Sequence, residues 1–139
     1  MTAPTLGRLL EFGLYVDDVD ASVAFYERLF GFRTLFRDDR MAALDVEGRQ
    51  VLLLFRQGAS AETVETPKGR LPGHDAAGSI HAAFAIEAAD LARWERWLEE
   101  NGVEIEGRMT WPRGGESLYF RDPDEHLLEV ATPGLWETY

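Results

Sequence analysis

Three ionisable residues interrupt apolar stretches that alternate in the manner of β-strands: Glu11 in EFGLYV, His81 in HAAFAI and Glu129 in HLLEVAT. Side chains two residues apart share one face of a strand, so His81 lies on a face of small residues, with Ala83 and Ala85. A carboxylate within an apolar run is costly unless it is paired, protonated or bound to a metal. Two carboxylates and an imidazole suit divalent Mn, Fe, Co, Ni or Zn and leave coordination positions open. We therefore predict a metal site at these three residues; a hydrogen-bonded structural histidine is the alternative for His81.

The elements that must position these residues follow one plan used twice along the chain. EFGLYVDDVDASVAFYERLFGF (11–32) and HAAFAIEAADLARWERWLEENGV (81–103) each open as a strand, pass an acidic turn and continue with apolar residues at helical spacing. Asp20 and Asp90 are the predicted helix N-caps, and Gly31 and Gly102 the predicted helix ends. Three shorter strands follow each helix, at about 32–38, 41–46 and 50–56, and at about 103–110, 115–121 and 126–131. The predicted fold is α+β, with two tandem βαβββ modules.

The length of 139 residues fits one domain, which we divide into module one at about 9–57, a connection at about 58–79 and module two at about 80–134. The connection has no clear periodicity. A connection of this length is expected to be either mobile or functional, as a lid or a pocket rim.

The composition narrows the choice of partners and of cellular compartment. A net charge of −11, from 25 acidic and 14 basic side chains, argues against nucleic acid and anionic membranes as partners. The chain has no cysteine, which excludes disulfides. With no signal peptide or long apolar span in the sequence, we expect a cytoplasmic protein with a small-molecule ligand.

The segments LYVDDVDASVAFYERLFGF, HAAFAI and GGESLYFRDPDEHLLEVATPG resemble the vicinal oxygen chelate superfamily, from about residue 9 to 134. That superfamily includes glyoxalase I, bleomycin-resistance proteins, fosfomycin-modifying enzymes and extradiol dioxygenases. The resemblance implies sheets that curl into a cup around a divalent metal, helices outside, and a homodimer. Its metal ligands come from the first strand of each module and the last strand of a module, which are the positions of Glu11, His81 and Glu129.

Two residues depart from the pattern of that family. Most metal-binding relatives carry histidine, or in some glyoxalases glutamine, at the position of Glu11, and the added charge is expected to favour harder metals. By repeat correspondence Leu54 matches Glu129, at a position where glyoxalase I supplies a fourth ligand and base. With leucine there, a glyoxalase I mechanism lacks its proton-abstracting carboxylate.

The C-terminal third resembles fosfomycin thiol transferases and hydrolases through Ser117, Tyr119 and Glu129. In those relatives the positions of Ser117 and Tyr119 help to bind the substrate phosphonate. Arg121 shares their strand face, so we take all three as candidate substrate contacts and Tyr119 also as a candidate catalytic group. Asp122 and Pro123 are expected to form a tight turn.

Four further residues complete the sequence-based candidates. His74, on the connection, is either a catalytic proton carrier near neutral pH or an exposed loop histidine. Arg113, in the turn WPRGG, either holds an anionic oxygen of the substrate or stays in water. Tyr15 shares the strand face of Glu11 and is a candidate substrate contact, whereas His126 is expected to be a capping or surface residue.

These features together predict a small metal-dependent enzyme of the glyoxalase or dioxygenase type. The metal would bind vicinal oxygens of a small substrate and stabilise an oxyanion or enolate as a Lewis acid. The alternative is a binding protein that resembles the bleomycin-resistance group, in which an acidic cup sequesters a ligand without catalysis.

Overall fold

The computed structural model of the chain describes residues 2–139 and has two compact units, one ending at Ala77 and the other comprising Gly78–Tyr139. Each unit contains one α-helix and one four-stranded sheet, which confirms the predicted α+β class and the repeated βαβββ plan. The cup-shaped curl of the sheets remains a prediction. Among the described residues, no helix is long and apolar enough to cross a membrane.

The first unit contains one full βαβββ module and a short hairpin. Its elements are β1 (Glu11–Val16), α1 (Val19–Phe30), β2 (Arg33–Arg37), β3 (Met41–Val46), β4 (Gln50–Arg56), β5 (Val64–Thr66) and β6 (Gly69–Leu71). The main sheet has the order β1-β4-β3-β2, in which β1 and β4 are parallel and the other pairs antiparallel. Because β1 and β4 are parallel neighbours, the chain that connects them must return to the end of the sheet at which β1 begins, and α1 is part of this connection.

Helix α1 packs its apolar side on this sheet through Val23, Tyr26 and Leu29, which are buried. Its N-cap is Asp18 and not Asp20, because the Asp18 side chain accepts a hydrogen bond from a backbone N–H three residues on. The predicted cap was wrong by two residues, since three aspartates lie within the acidic turn and only one meets the first free N–H groups. Asp20 lies in the first turn instead.

The connection is more ordered than its lack of periodicity suggests. Strands β5 and β6 pair antiparallel inside it and form a two-stranded sheet of their own. Gly73 lies so close to Ala61 that an added Cβ would approach the Ala61 carbonyl oxygen to 2.1 Å. Such a close approach requires glycine. The two sides of the connection are held together by hydrogen bonds from the Gly73 N–H to Thr63 Oγ1 and from the His74 N–H to the Ser60 carbonyl oxygen.

The second unit repeats the module. Its elements are β7 (His81–Ala85), a 3₁₀ turn (Ala88–Asp90), α2 (Leu91–Glu100), β8 (Gly107–Thr110), β9 (Glu116–Arg121) and β10 (Leu127–Ala131). The sheet order β7-β10-β9-β8 matches that of the first unit, with β7 and β10 parallel. Its core contains Leu98, Phe120, Leu128 and Val130, all fully buried. Strand β8 begins four residues later than the predicted start near 103.

Candidate metal centre

His81 and Glu129 are brought together by the parallel pairing of β7 with β10. In this register His81 lies opposite Leu127 and Glu129 lies opposite Ala83, so both side chains leave the same face of the sheet. The His81 Nε2 atom is 3.2 Å from Glu129 Oε1. The imidazole is 50% exposed and the carboxylate only 5%, so a ligand can reach the pair from the histidine side.

The backbone fixes which nitrogen of His81 faces the carboxylate. His81 Nδ1 lies 2.8 Å from the Leu127 carbonyl oxygen, which can only accept a hydrogen bond, so Nδ1 carries a proton. Nε2 then presents its lone pair toward Glu129 Oε1, unless it is protonated as well. A nitrogen and a carboxylate oxygen at this separation share either a proton or a metal ion, and one nitrogen with one carboxylate oxygen is a donor pair that divalent transition metals accept.

Ser117 and Trp111 bind the other carboxylate oxygen of Glu129. The Ser117 hydroxyl donates to Glu129 Oε2 at 2.5 Å, and the Trp111 indole N–H donates to Ser117 Oγ at 2.9 Å. Ser117 is 1% exposed and belongs to β9, which lies between β10 and β8 in the sheet. The sequence-based candidate Ser117 therefore lies beside the proposed metal ligand, and its hydroxyl is engaged with it.

Tyr119 lies directly opposite Glu129 in the antiparallel pair of β9 and β10. Burial raises the pKa of its phenol above the usual 10.0, and the negative charge of Glu129 raises it further. The Tyr119 and His81 rings have centroids 6.3 Å apart. Tyr119 is therefore a protonated hydrogen-bond donor beside the histidine–carboxylate pair.

The two arginines that the sequence analysis selected differ in their surroundings. Arg121 makes a bidentate pair with Glu106, at 2.7 and 2.9 Å, and donates to Ser79 Oγ and the Glu125 carbonyl oxygen. This pairing lowers the pKa of Glu106 and raises that of Arg121, mainly through the hydrogen bond between them. Arg113 is exposed, in the turn between β8 and β9.

The first unit brings Tyr15 and His74 together. The Tyr15 hydroxyl is 2.7 Å from His74 Nδ1, and both rings contact Phe55, with centroid separations of 5.7 Å for Tyr15 and 4.5 Å for His74. The His74 backbone N–H donates to the Ser60 carbonyl oxygen, which positions the connection against this face. Glu11 is exposed on the same face of β1 as Tyr15.

The strand register corrects one assignment. In the first unit Gly13 pairs with Leu53, as Ala83 pairs with Glu129 in the second, so Leu53 and not Leu54 is the counterpart of Glu129. Leu54 is fully buried on the opposite face. The predicted correspondence was wrong by one position, which reverses the face of a strand residue, although both residues are apolar.

His126 was expected to be a capping or a surface residue, and the structure contradicts the surface alternative, because the residue is buried. Its Nδ1 accepts from the Ile80 backbone N–H at 3.0 Å, and its own backbone N–H donates to Asp122 Oδ1 at 3.0 Å. Asp122 also accepts from the Asp124 N–H, so the predicted tight turn at Asp122 and Pro123 is present. This turn fixes the start of β10 beside β7, and thus the register of Glu129.

Taken unit by unit, residues 2–139 contain no group of three histidine, aspartate or glutamate side chains arranged to hold an ion. The second unit contributes a pair, His81 and Glu129, and the first unit contains Glu11. The pair fits a divalent metal by its chemistry, since one imidazole nitrogen and one buried carboxylate oxygen face each other, while His81 Nδ1 and Glu129 Oε2 are each hydrogen-bonded.

Comparison with known proteins identifies the family. Residues 8–130 match the model of the glyoxalase/bleomycin resistance protein/dioxygenase superfamily. The chain belongs to this superfamily. The earlier resemblance is thereby confirmed for nearly the whole chain.

Relatives within the superfamily have named activities. A metallothiol transferase FosB from Bacillus licheniformis is 31% identical over 123 residues, or 88% of this chain and 73% of the relative. Another, from Lysinibacillus sphaericus, is 30% identical over 134 residues, or 95% and 84%. The crystal structure of lactoylglutathione lyase from Agrobacterium tumefaciens has 31% identity and a TM-score of 0.88, and covers 96% of this chain and 99% of that one. By their names these superfamily members are enzymes.

Two residues that contact the candidate side chains, Trp111 in the second unit and Phe55 in the first, escaped the sequence analysis as functional candidates. Trp111 was considered only as part of a turn, and Phe55 only as part of a strand. For Phe55 a signal was present: alternation along β4 places it on the face of Leu53, which is also the face of Tyr15. No sequence signal links Trp111 to Ser117, since their contact depends on the shape of the turn between β8 and β9.

Proposed function

We propose that this superfamily member is a metal-dependent enzyme of the vicinal oxygen chelate type that acts on a small substrate with neighbouring oxygen atoms. The observation that carries the proposal is the His81–Glu129 pair, with Nε2 of the histidine 3.2 Å from a buried carboxylate oxygen. Glu11 is the third proposed ligand, on the basis of the sequence. The ion is Mn, Fe, Co, Ni or Zn, and when bound it supplies a Lewis acid for oxygen atoms of the substrate.

The candidate side chains of the two units have separate proposed roles. Tyr119 donates a hydrogen bond to a substrate oxygen, which its raised pKa permits over the whole physiological range. Tyr15 and His74 hold and move a proton through their 2.7 Å contact. Arg113 is the proposed contact for an anionic group, because Arg121 is already paired with Glu106.

The specific activity that we propose to test first is thiol transfer. Two considerations support it: curated relatives at 30–31% identity are named metallothiol transferases, and Leu53 supplies no carboxylate at the counterpart of Glu129. A homodimer and a cytoplasmic location belong to the same proposal.

The test combines metal binding with turnover. Isothermal titration of the metal-stripped protein with Mn²⁺, Co²⁺, Ni²⁺ and Zn²⁺ should give about one ion per chain, and His81→Ala or Glu129→Gln should weaken binding by at least about 100-fold. Glu104→Gln, an exposed carboxylate of the same unit, is the matched control and should bind as the wild type does. Loss of a low-molecular-weight thiol in the presence of fosfomycin, and conversion of lactoylglutathione, then distinguish transferase from lyase activity.

The outcomes separate the two classes of function. Metal binding with turnover that His81→Ala abolishes would support the enzyme. A wild-type protein that binds none of the four ions would contradict it. Binding of a cationic small molecule by that metal-free protein would instead favour sequestration.

A further inference from the structure

A hydrogen-bonded chain of three residues ends on the carboxylate of Glu129. Trp111 Nε1 is 2.9 Å from Ser117 Oγ, and Ser117 Oγ is 2.5 Å from Glu129 Oε2. Taken as whole residues, Ser117 is 1% exposed and Glu129 is 4% exposed. With so little exposure, solvent is a poor replacement for the hydrogen bond between Ser117 and Glu129, whereas Trp111 is half-buried.

The direction of both hydrogen bonds is fixed by chemistry. An indole N–H can only donate, and an ionised carboxylate can only accept. The Ser117 hydroxyl must therefore accept from Trp111 and donate to Glu129. Because its single proton goes to Oε2, the other oxygen, Oε1, is left to face His81 Nε2 at 3.2 Å.

The backbone holds the indole in place. The Trp111 backbone N–H donates to the Gly115 carbonyl oxygen at 2.7 Å, and the Trp111 carbonyl oxygen accepts from the Gly114 N–H at 2.8 Å. These two bonds close the turn between β8 and β9. Gly115 in turn donates to the Gly134 carbonyl oxygen. Trp111 is thus anchored at its backbone and points its only side-chain donor at Ser117.

We propose that Trp111 is a positioning residue for the metal site, which acts through Ser117 to hold the Glu129 carboxylate with Oε1 toward His81. This inference rests on the proposed function and adds a residue that the sequence did not select. It also gives Ser117 a role toward the ligand Glu129, in place of the substrate contact predicted from the sequence. Partners of this kind raise the affinity for the metal by orienting its ligands.

The first test measures Co²⁺ affinity in a double-mutant cycle. Trp111→Phe keeps an aromatic ring but removes the N–H, and should weaken Co²⁺ binding by about tenfold. Ser117→Ala should weaken it by about 10- to 100-fold. The double variant should bind as weakly as Ser117→Ala alone, because the indole acts only through the hydroxyl. Trp97→Phe, on α2 of the same unit, is the control and should leave the affinity unchanged.

A second measurement needs no variant of Trp111. In metal-free protein, the indole N–H signal, assigned by elimination with Trp94→Phe, Trp97→Phe and Trp136→Phe, should exchange with solvent slowly. In Ser117→Ala the exchange should accelerate at least about tenfold, since the N–H has lost its acceptor. Ser117→Thr keeps a hydroxyl and should restore slow exchange, which a purely steric role would not predict.

The results distinguish the two proposals. Wild-type protein that binds Co²⁺, with Trp111→Phe binding equally well, would overturn the positioning role and leave the metal site intact. An indole N–H that exchanges equally fast with and without the Ser117 hydroxyl would also overturn it. Wild-type protein that binds no metal would overturn the proposed function, and this inference with it.

Discussion

Replacement of Gly115 by alanine should destabilise the second unit. An alanine Cβ at this position would lie 2.6 Å from the Gly134 carbonyl carbon, whereas ordinary contact begins at 3.4 Å. The two backbone segments must then move apart by about 0.8 Å, which lengthens the 3.1 Å hydrogen bond from Gly115 N–H to Gly134 O beyond its useful range. Overpacking strain and the lost hydrogen bond together amount to about 2–4 kcal/mol of unfolding free energy.

Urea denaturation followed by far-ultraviolet circular dichroism measures this loss, with Gly107→Ala as the control. A Cβ at Gly107 would meet Tyr119 at 3.7 Å, an ordinary contact, so the control should stay within about 0.5 kcal/mol of the wild type. Because Gly115 anchors Trp111, Gly115→Ala should also weaken Co²⁺ binding, and Gly107→Ala should not. Equal unfolding free energies for the two variants would refute the reasoning about this backbone contact.

Three further predictions follow from single side chains. Ser22→Ala should raise the unfolding free energy by about 1 kcal/mol, because the Ser22 hydroxyl is buried without a hydrogen-bond partner among the described residues. A thermal unfolding midpoint of the variant below that of the wild type would contradict this. Asp18→Ala should cost about 1 kcal/mol and Asp20→Ala less, because only Asp18 caps α1; equal losses in urea would count against the cap. The pKa of Tyr119 is higher in the folded state than in the unfolded state, so the folded state keeps the phenol proton to a higher pH. The stabilisation that Tyr119 provides is therefore full below pH 10.0 and is lost as the pH rises above it. Ultraviolet titration should place the Tyr119 phenolate closer to 10.0 in Glu129→Gln, and an unchanged midpoint would contradict the influence of that carboxylate.

The repeated module could be predicted from the sequence because its signals are periodic. Apolar residues at helical spacing and alternating strand residues are set by local geometry, and the end of α1 before Gly31 and the bounds of β3 agree with expectation. The short hairpin of β5 and β6 was missed because its three-residue strands are exposed and carry no alternation. A strand without a buried face leaves no pattern in the sequence.

The site was predicted in part, for a similar reason. Alternation placed His81 and Glu129 on one face, and the register of β7 with β10 then set their separation. The register itself depends on a turn that the sequence predicted and on the burial of His126, for which the sequence analysis left a capping and a surface position open. Without the register, Leu54 was assigned as the counterpart of Glu129 in place of Leu53. The contact of Trp111 with Ser117 depends on the shape of a turn and could not be foreseen.

The central claim is the proposal that His81 and Glu129 hold a divalent metal, and Glu11 is the third ligand proposed from the sequence. Metal content by inductively coupled plasma mass spectrometry, on protein purified without a histidine tag, tests it most directly. We predict about one transition ion per chain in the wild type, and its loss in the folded variants His81→Ala, Glu129→Ala and Glu11→Ala. A wild-type protein that remains metal-free after reconstitution with Mn, Fe, Co, Ni and Zn, or variants that retain the ion, would contradict the claim.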